Sequence, residues 1–142
     1  MAKNNLAYLL AEQGKDLDHA LDLAQEAKAA LPDNANTADT LGWVLYKKGV
    51  PSAAVGYLKE AEGLMQPTDP GLGPVRQHLA LAEEASGKPD SARETLERAL
   101  ATLDEQRKQA AAQHPGATLP PEPDWAKDAR AHLERLRTHG AG

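Results

Sequence analysis

The segment "DTLGWVLYKKGVPSAAVGYLKEAEGLMQP", residues 39–67, contains the pattern from which the fold is predicted. It begins with a leucine followed at once by a tiny residue, Leu41-Gly42, and Gly49 lies seven residues after Gly42. Two alanines, Ala54 and Ala61, follow with the same seven-residue spacing. This arrangement predicts two helices that meet at a glycine turn, with small residues where their backbones approach each other.

The first of these helices has two apolar faces. Leu41, Val44 and Leu45 stand at i, i+3 and i+4, so they form one stripe that can be buried against the second helix. Trp43 and Tyr46 point about a third of a turn or more away from that stripe. Because a Trp side chain offers on the order of 150–250 Å² of surface, a neighbouring helix or a partner is expected to cover it.

The same pattern occurs in two further segments, "NNLAYLLAEQGKDLDHALDLAQEAKAALP" (residues 4–32) and "QHLALAEEASGKPDSARETLERAL" (residues 77–100). The shared positions are Leu6, Ala7, Gly14, Ala20 and Ala27 in the first segment, and Leu79, Ala80, Gly87, Ala92 and Ala99 in the last. The repeat interval is 34 residues from Ala20 to Ala54 and 38 from Ala54 to Ala92. The longer interval contains "QPTDPGLGP", in which "GLG" is interpreted as a spacer in a turn between units.

Each unit has local signals for a helical hairpin. Gly14, Gly49 and Gly87 stand where the first helix must end, and glycine adopts a positive φ there without steric cost. Pro51 and Pro89 follow at the first turn of the second helix, the position in a helix that tolerates proline. The predicted first helices (A) cover about 3–13, 36–48 and 72–86, and the second helices (B) about 17–30, 51–64 and 89–112.

These motifs resemble the tetratricopeptide repeat (TPR), a helix-turn-helix unit of 34 residues. The resemblance covers roughly residues 3–104 and implies an all-α fold, a right-handed superhelix (α-solenoid) of three TPR units. The units are placed at 1–34, 35–70 and 71–113, the last with an extended helix B. The amino-acid sequences of the first two units are similar to those of the final units of large bacterial TPR proteins.

The end of the sequence adds a proline-rich linker, 114–123, and a helix at 124–139. Trp125, Ala129, Leu133 and Leu136 share one face of that helix, which is interpreted as a cap over the third unit. The alternatives are that this helix fills the groove of the array, or that it docks on a partner or on a second copy to give a homo-oligomer.

Composition excludes several classes of function. The net charge of −5 disfavours a nucleic-acid partner, the apolar runs are too short for membrane insertion, and without cysteine there is no thiol nucleophile or Cys-type zinc site. The five histidines are scattered, and the neighbouring carboxylates Glu83-Glu84 and Asp104-Glu105 point to different sides of a helix. The sequence therefore predicts a protein that is not an enzyme and holds no metal or cofactor. Localisation stays open: cytoplasmic for a complete chain, the cell envelope for a fragment.

The TPR resemblance implies that the A helices line a ligand groove. Its candidate residues are Asn4, Tyr8 and Glu12 in the first unit, Asp39, Trp43, Tyr46 and Lys47 in the second, and Gln77, Leu81 and Glu84 in the third. The alternative for Trp43 is purely internal packing, and for Tyr46 it is packing against the neighbouring unit. The carboxylate clamp of some TPR proteins is missing, because its positions hold Asn4, Tyr8, Thr40, Pro74 and His78.

The expected function is therefore a protein-interaction scaffold that binds a peptide or helical segment, anchored by apolar side chains and carrying Lys or Arg. The alternative function is a structural or self-association segment of a longer bacterial TPR protein of the cell envelope.

Overall fold

The computed structural model describes residues 1–140, which form seven helices and no strand. Their bounds are α1 Ala2–Gln13, α2 Leu17–Ala30, α3 Ala35–Lys47, α4 Pro51–Gly63, α5 Leu72–Ala85, α6 Pro89–Gln113 and α7 Asp124–Gly140. The all-α repeat fold is confirmed. Helices α1–α6 form three hairpins, and each predicted helix begins and ends within about two residues of the observed bounds.

The turns within the hairpins have the predicted backbone. Gly14, Gly49 and Gly87 have φ of 66°, 83° and 80°, the left-handed region that closes a helix. The first unit has one extra residue in its turn, and there Asp16 also adopts a positive φ of 47°. Aspartate tolerates this conformation better than most residues, so the insertion is absorbed before α2 begins.

Small residues allow the two helices of a hairpin to approach closely. A Cβ added at Gly42 of α3 would lie 2.6 Å from Cγ of Leu58 in α4 and 3.2 Å from the carbonyl oxygen of Ala54. Leu58 and Ala54 are themselves completely buried. Glycine at position 42 therefore sets the distance between α3 and α4.

The hairpins stack through their A helices. Of the stripe predicted to be buried against the second helix of its own hairpin, Leu45 packs against a cluster that includes α4 residues. Leu41 and Val44 of α3 instead belong to one apolar cluster with alanines of the preceding hairpin, Ala7, Ala11, Ala20 and Ala24. One unit further on, Leu79 and Ala82 of α5 pack in the same manner against Ala54, Val55 and Leu58 of α4. The second and third units thus bury apolar surface on the unit before them.

Helix α7 continues this packing at the far end of the array. Its buried residues Ala126, Ala129, Leu133 and Leu136 contact Ala80, Ala92, Leu96 and Leu100 of the third unit. Ala80 and Ala92 are the repeat equivalents of Ala7 and Ala20, which receive α3 in the first unit. Helix α7 therefore covers the third hairpin where a further A helix would lie.

Gly73 does not serve as the spacer in a turn that its sequence context suggested. It is buried in the first turn of α5, and a Cβ added there would lie 2.2 Å from Cζ2 of Trp125. The indole of Trp125 rests directly on the backbone of α5. The sequence alone did not reveal this contact because 52 positions separate the two residues.

Candidate protein-binding surface

An aromatic cluster joins the A helices of the three units. Trp43 of α3 stacks on Tyr46, with ring centroids 5.1 Å apart, and on His78 of α5, with centroids 4.1 Å apart. The ring of Tyr8 of α1 is tilted relative to that of His78, with centroids 6.3 Å apart. The positions of Tyr8, Trp43 and Leu81 correspond in the repeat, and regular stacking of the units brings these helices side by side.

Trp43 is almost completely buried in this cluster, with 6% of its surface exposed. Its Nε1–H donates a hydrogen bond of 2.6 Å to Oε1 of Glu12 in α1, and Nζ of Lys47 lies 4.9 Å from the ring centroid. The ring thus contacts the A helices of the units on both sides. Its geometry is that of internal packing between units, the second of the two alternatives raised for it.

Tyr46 is half-buried and also packs between units, in contact with the clusters on both sides of α3. Leu81 of α5 packs against the same cluster as Trp43. Glu12, Trp43, Tyr46 and Leu81 therefore connect the A helices to one another, while the Lys47 side chain is exposed above the indole.

A cleft of about 470 Å³ opens between α1 and α3 beside this cluster. Its lining combines apolar and amide side chains with one carboxylate: Met1, Asn4, Asn5, Tyr8, Leu9, Asn36, Asp39 and Thr40. Three candidate residues, Asn4, Tyr8 and Asp39, are among them. Leu9 and Met1 are exposed at its edge, with 55% and 54% of their surface accessible.

The electrostatic character of the cleft is acidic. Burial raises the pKa of Tyr8 above its ordinary value, and the negative charges of Glu12 and Asp39 raise it further. The Asp39 carboxylate lies 2.9 Å from Nδ1 of His78. A positively charged group that entered the cleft would be attracted by these carboxylates.

Asn4 is buried in the lining of the cleft, with its Oδ1 atom without a hydrogen-bond partner. Since an unpaired buried amide costs about 1–3 kcal/mol, its neighbourhood is a place where a donor can add stability. The N-terminal half of α1 thus lines the cleft and also carries a buried polar atom without a hydrogen-bond partner.

Glu84, a candidate residue of the third unit, does not face this cleft. Its Oε1 lies 2.9 Å from Nε2 of His132 and 3.7 Å from Nη2 of Arg135, both in α7. Gln77 is half-buried on α5 and does not line the cleft either. Eight of the ten candidate residues therefore divide into a cleft group of three, a packing group of four and one contact with α7, while Lys47 and Gln77 belong to none of these groups.

Six contributors to this surface were not among the candidates: His78 in the aromatic cluster, and Met1, Asn5, Leu9, Asn36 and Thr40 in the lining of the cleft. His78 was considered only as a metal ligand and as a clamp position, although it stands three residues before Leu81 and so shares its face of α5. This spacing could have identified His78 as part of the surface from the sequence. Nothing in the sequence indicated that Leu9 lines the cleft, because its repeat equivalent Val44 is a core residue.

No group of His, Asp or Glu side chains among residues 1–140 is arranged to hold a metal ion. Within the same residues, no helix combines the length and apolar character needed to cross a bilayer.

No protein-family model and no curated protein matches this chain. The solved structures similar to it include two of nearly identical TPR-like repeats from a candidate kinesin light chain of Podospora anserina. One of them, a single-substitution variant, aligns with a TM-score of 0.77 and 17% identity. The alignment covers 99% of this chain and 66% of the other, so this chain spans just under two thirds of the length of that protein. The second aligns with a TM-score of 0.64 and 16% identity, over 99% and 86%. At this identity the likeness shows the fold, and the chain has the all-α architecture of TPR-like repeats.

Proposed function

We propose that this protein is an interaction scaffold that binds a segment of a partner protein, with the cleft between α1 and α3 as the docking point. The single observation that carries this proposal is the accessible cleft of about 470 Å³ on the A-helix surface. Repeat folds of this kind generally mediate protein–protein interaction, which agrees with the proposal.

The composition of the cleft indicates the chemistry of the segment. Tyr8 and Leu9 supply apolar surface, and tyrosine is one of the residues enriched at binding hot spots. Asp39 and Glu12 place negative charge next to Tyr8. The fitting segment is therefore a peptide or helix with one apolar anchor followed by Lys or Arg.

Trp43 has an indirect role in this proposal. Its ring is held by Tyr46, His78 and Glu12, so it is not available as a binding anchor. By fixing α1 and α3 relative to each other, it keeps the width of the cleft constant. A preformed cleft loses less conformational entropy on binding.

A second candidate function is that of a structural or self-association segment. The sequence suggests that such a segment would belong to a longer bacterial TPR protein of the cell envelope. It is favoured by the exposed apolar side chains of Leu6 and Leu9 at the N-terminal end of the array. Neither candidate function includes catalysis, a cofactor or nucleic acid.

The test uses an array of synthetic peptides that vary in the position of one Leu relative to two Lys residues, screened against the full chain. The best peptide is then titrated by calorimetry into wild type and into Tyr8→Ala, Asp39→Asn and Tyr57→Ala. Tyr57 is a matched control because it is a half-buried tyrosine on α4 that does not line the cleft.

We expect Tyr8→Ala to weaken binding about tenfold, which corresponds to about 1.4 kcal/mol. Asp39→Asn should weaken it less and reduce its dependence on salt, since the substitution removes one charge. Thermal melts show that each variant is folded. Equal affinities of Tyr8→Ala and Tyr57→Ala would refute the proposed docking point.

A further inference from the structure

Three departures from the regular repeat lie next to one another in the third unit. The segment 64–71, between α4 and α5, belongs to the longer repeat interval of 38 residues. Helix α6 has 25 residues, whereas α2 and α4 have 14 and 13. The proline-rich segment 114–123 then leads into α7. Stacking of regular hairpins requires none of these features, and departures from a pattern are expected at functional sites.

The extended part of α6 contacts both of the other segments. The side-chain amide of Gln106 donates a hydrogen bond to the carbonyl oxygen of Pro67 in the segment between α4 and α5. The next residue, Arg107, donates through Nη1 a hydrogen bond of 2.8 Å to the carbonyl oxygen of Pro120 in the proline-rich segment. The three departures therefore form one contiguous junction.

A cavity of about 230 Å³ lies within this junction, and we call it the junction cavity. Its wall is largely apolar and includes Pro67, Pro70, Leu103, Pro123 and the half-buried ring of Trp125. An apolar cavity of about 150 Å³ holds benzene, and drug-sized ligands occupy about 300–1,000 Å³. The junction cavity therefore has room for a compound slightly larger than a single ring.

Arg76 of α5 brings positive charge to the lining of this cavity. Its Nε donates to Oε2 of Glu62 at 2.8 Å and its Nη1 to the hydroxyl of Thr102 at 3.0 Å. Because Arg98 donates to the same Oε2 atom at 2.8 Å, two guanidinium groups share one carboxylate and a net positive charge remains.

One nitrogen of Arg76 is free to bind a ligand. Within residues 1–140, Nη2 has no hydrogen-bond partner, and it is not among the fully buried atoms without one. The side chain as a whole is only 14% exposed. A carboxylate that reached Nη2 would thus form a charge-assisted hydrogen bond in a largely water-excluded place.

Asp69 brings negative charge to the same lining. Its Oδ1 accepts a hydrogen bond of 2.8 Å from the backbone N–H of Gly71, which fixes the carboxylate near the start of α5. An ionised carboxylate has further lone pairs on both oxygens, so it can also accept from an ammonium group. The lining therefore combines one cation, one anion and an apolar wall.

We propose that the junction cavity binds a free α-amino acid with an apolar side chain. Arg76 binds the carboxylate, Asp69 binds the ammonium group, and the side chain packs on Trp125 and the prolines. A ligand with a single charge would leave Arg76 or Asp69 without its counterpart, which disfavours that ligand. This site does not rest on the proposed peptide-binding function, since it shares no lining residue with the cleft between α1 and α3.

The experiment is heteronuclear NMR of the isotope-labelled full chain, titrated separately with L-leucine, L-methionine and L-phenylalanine. The chain has two tryptophans, so it gives two indole N–H signals, which the variant Trp125→Phe assigns. We expect a saturable shift of the Trp125 signal with at least one of these amino acids. The Trp43 signal is the internal control and should stay in place, because its N–H is bonded to Glu12 outside the cavity.

Two analogues of L-phenylalanine test the recognition of both charges. Phenylpropionate lacks the ammonium group and phenethylamine lacks the carboxylate. Each should bind at least about tenfold more weakly than the strongest of the three amino acids. Equal binding of either analogue would overturn the assignment to amino acids.

Variants of the charged residues test their roles. Arg76→Met should weaken binding at least about tenfold. Arg98→Met is its matched control, because Arg98 contacts the same oxygen of Glu62 but does not line the cavity. Asp69→Asn should also weaken binding, although it keeps a side-chain oxygen for the N–H of Gly71. Thermal melts show which variants are folded, and Asp69→Asn decides if Arg76→Met is not.

A Trp125 signal that stays in place with all three amino acids, up to their solubility limits, would overturn the proposal. A shift of the Trp43 signal alone would do so too, because it would place the ligand elsewhere. Equal effects of Arg76→Met and Arg98→Met in folded proteins would have the same consequence.

Discussion

The Nε1–H of Trp43 donates a hydrogen bond of 2.6 Å to the carboxylate of Glu12, which joins helix α3 to helix α1 across the boundary between two repeat units. The ring stacks on His78 of the third unit as well. One side chain thus contacts all three hairpins. Its loss should weaken the coupling between units more than the stability of any single hairpin.

Replacing Trp43 tests this coupling. Trp43→Ala should reduce the free energy of unfolding by about 3–5 kcal/mol, because it removes a large buried side chain. Trp43→Phe keeps most of the ring but loses the hydrogen bond, so a reduction of about 1–2 kcal/mol is expected. Both values come from urea denaturation monitored by circular dichroism. Glu12→Gln, which retains an acceptor, is the control. A Trp43→Ala protein as stable as wild type would show that the ring is not part of the packing.

Gly73→Ala should displace helix α7 from the third unit. The new Cβ would lie 2.2 Å from the Trp125 ring, so α7 must shift, at a cost of about 1–3 kcal/mol. Gly56→Ala is the matched control, because a Cβ at Gly56, also within a helix, meets no atom within 4 Å. That variant should be stabilised by about 0.5–1 kcal/mol. Hydrogen exchange of the α7 amides and thermal melts measure both effects. Unchanged exchange in Gly73→Ala would contradict the packing of Trp125 on α5.

Leu133→Ala tests whether α7 is an integral cap. Leu133 is buried against the third unit, so its truncation should cost about 2–4 kcal/mol. If α7 stabilises the array as a cap, protection of α5 and α6 from hydrogen exchange falls together with that of α7. Leu64→Ala, at an exposed position, should change neither. Faster exchange confined to α7 would instead indicate a helix that docks on the array without supporting it.

Glu62 makes stability depend on pH. Burial acts to raise the pKa of its carboxyl, but hydrogen bonds from Arg98 and Arg76 outweigh burial and hold the pKa below its ordinary value of 4.5. Since the pKa is lowered in the folded state, the contribution is present above the ordinary value and is lost as pH falls through the folded-state pKa.

Glu62→Gln should therefore lower the free energy of unfolding at neutral pH by about 1 kcal/mol and have progressively less effect below pH 4.5. Urea titrations of both proteins at a series of pH values measure the difference. Glu94→Gln, at an exposed position of α6, should lack this dependence. A deficit of Glu62→Gln that stays constant down to the acid limit would contradict the assignment of the two arginine contacts.

Most of the fold could be predicted from the sequence because a repeat presents the same physical requirement three times. The glycines at 14, 49 and 87, the alanines that follow and the prolines at 51 and 89 each fix a local conformation or a close approach. Local signals of this kind do not depend on distant contacts. The helix bounds followed from them directly.

The candidate surface was less predictable because it depends on contacts between units. Helical spacing placed Trp43 away from α4, but it did not reveal that Glu12 and His78 cover the ring from the adjacent units. The seating of Trp125 on Gly73 is another long-range contact. Such contacts follow from the stacking of hairpins, which a single helix pattern does not describe.

Among residues 1–140 the two ends of the array are unequal, because α7 shields the third hairpin while α1 and α2 contact helices on one side alone. Within residues 1–140 thermal fluctuations should therefore open α1 before α3, which packs against hairpins on both sides. Loosening of α1 would also disrupt the side of the cleft that Tyr8 and Leu9 form. The region proposed to hold a partner thus lies on a helix that packs against the array from one side, and an occupant there would stabilise that helix against opening.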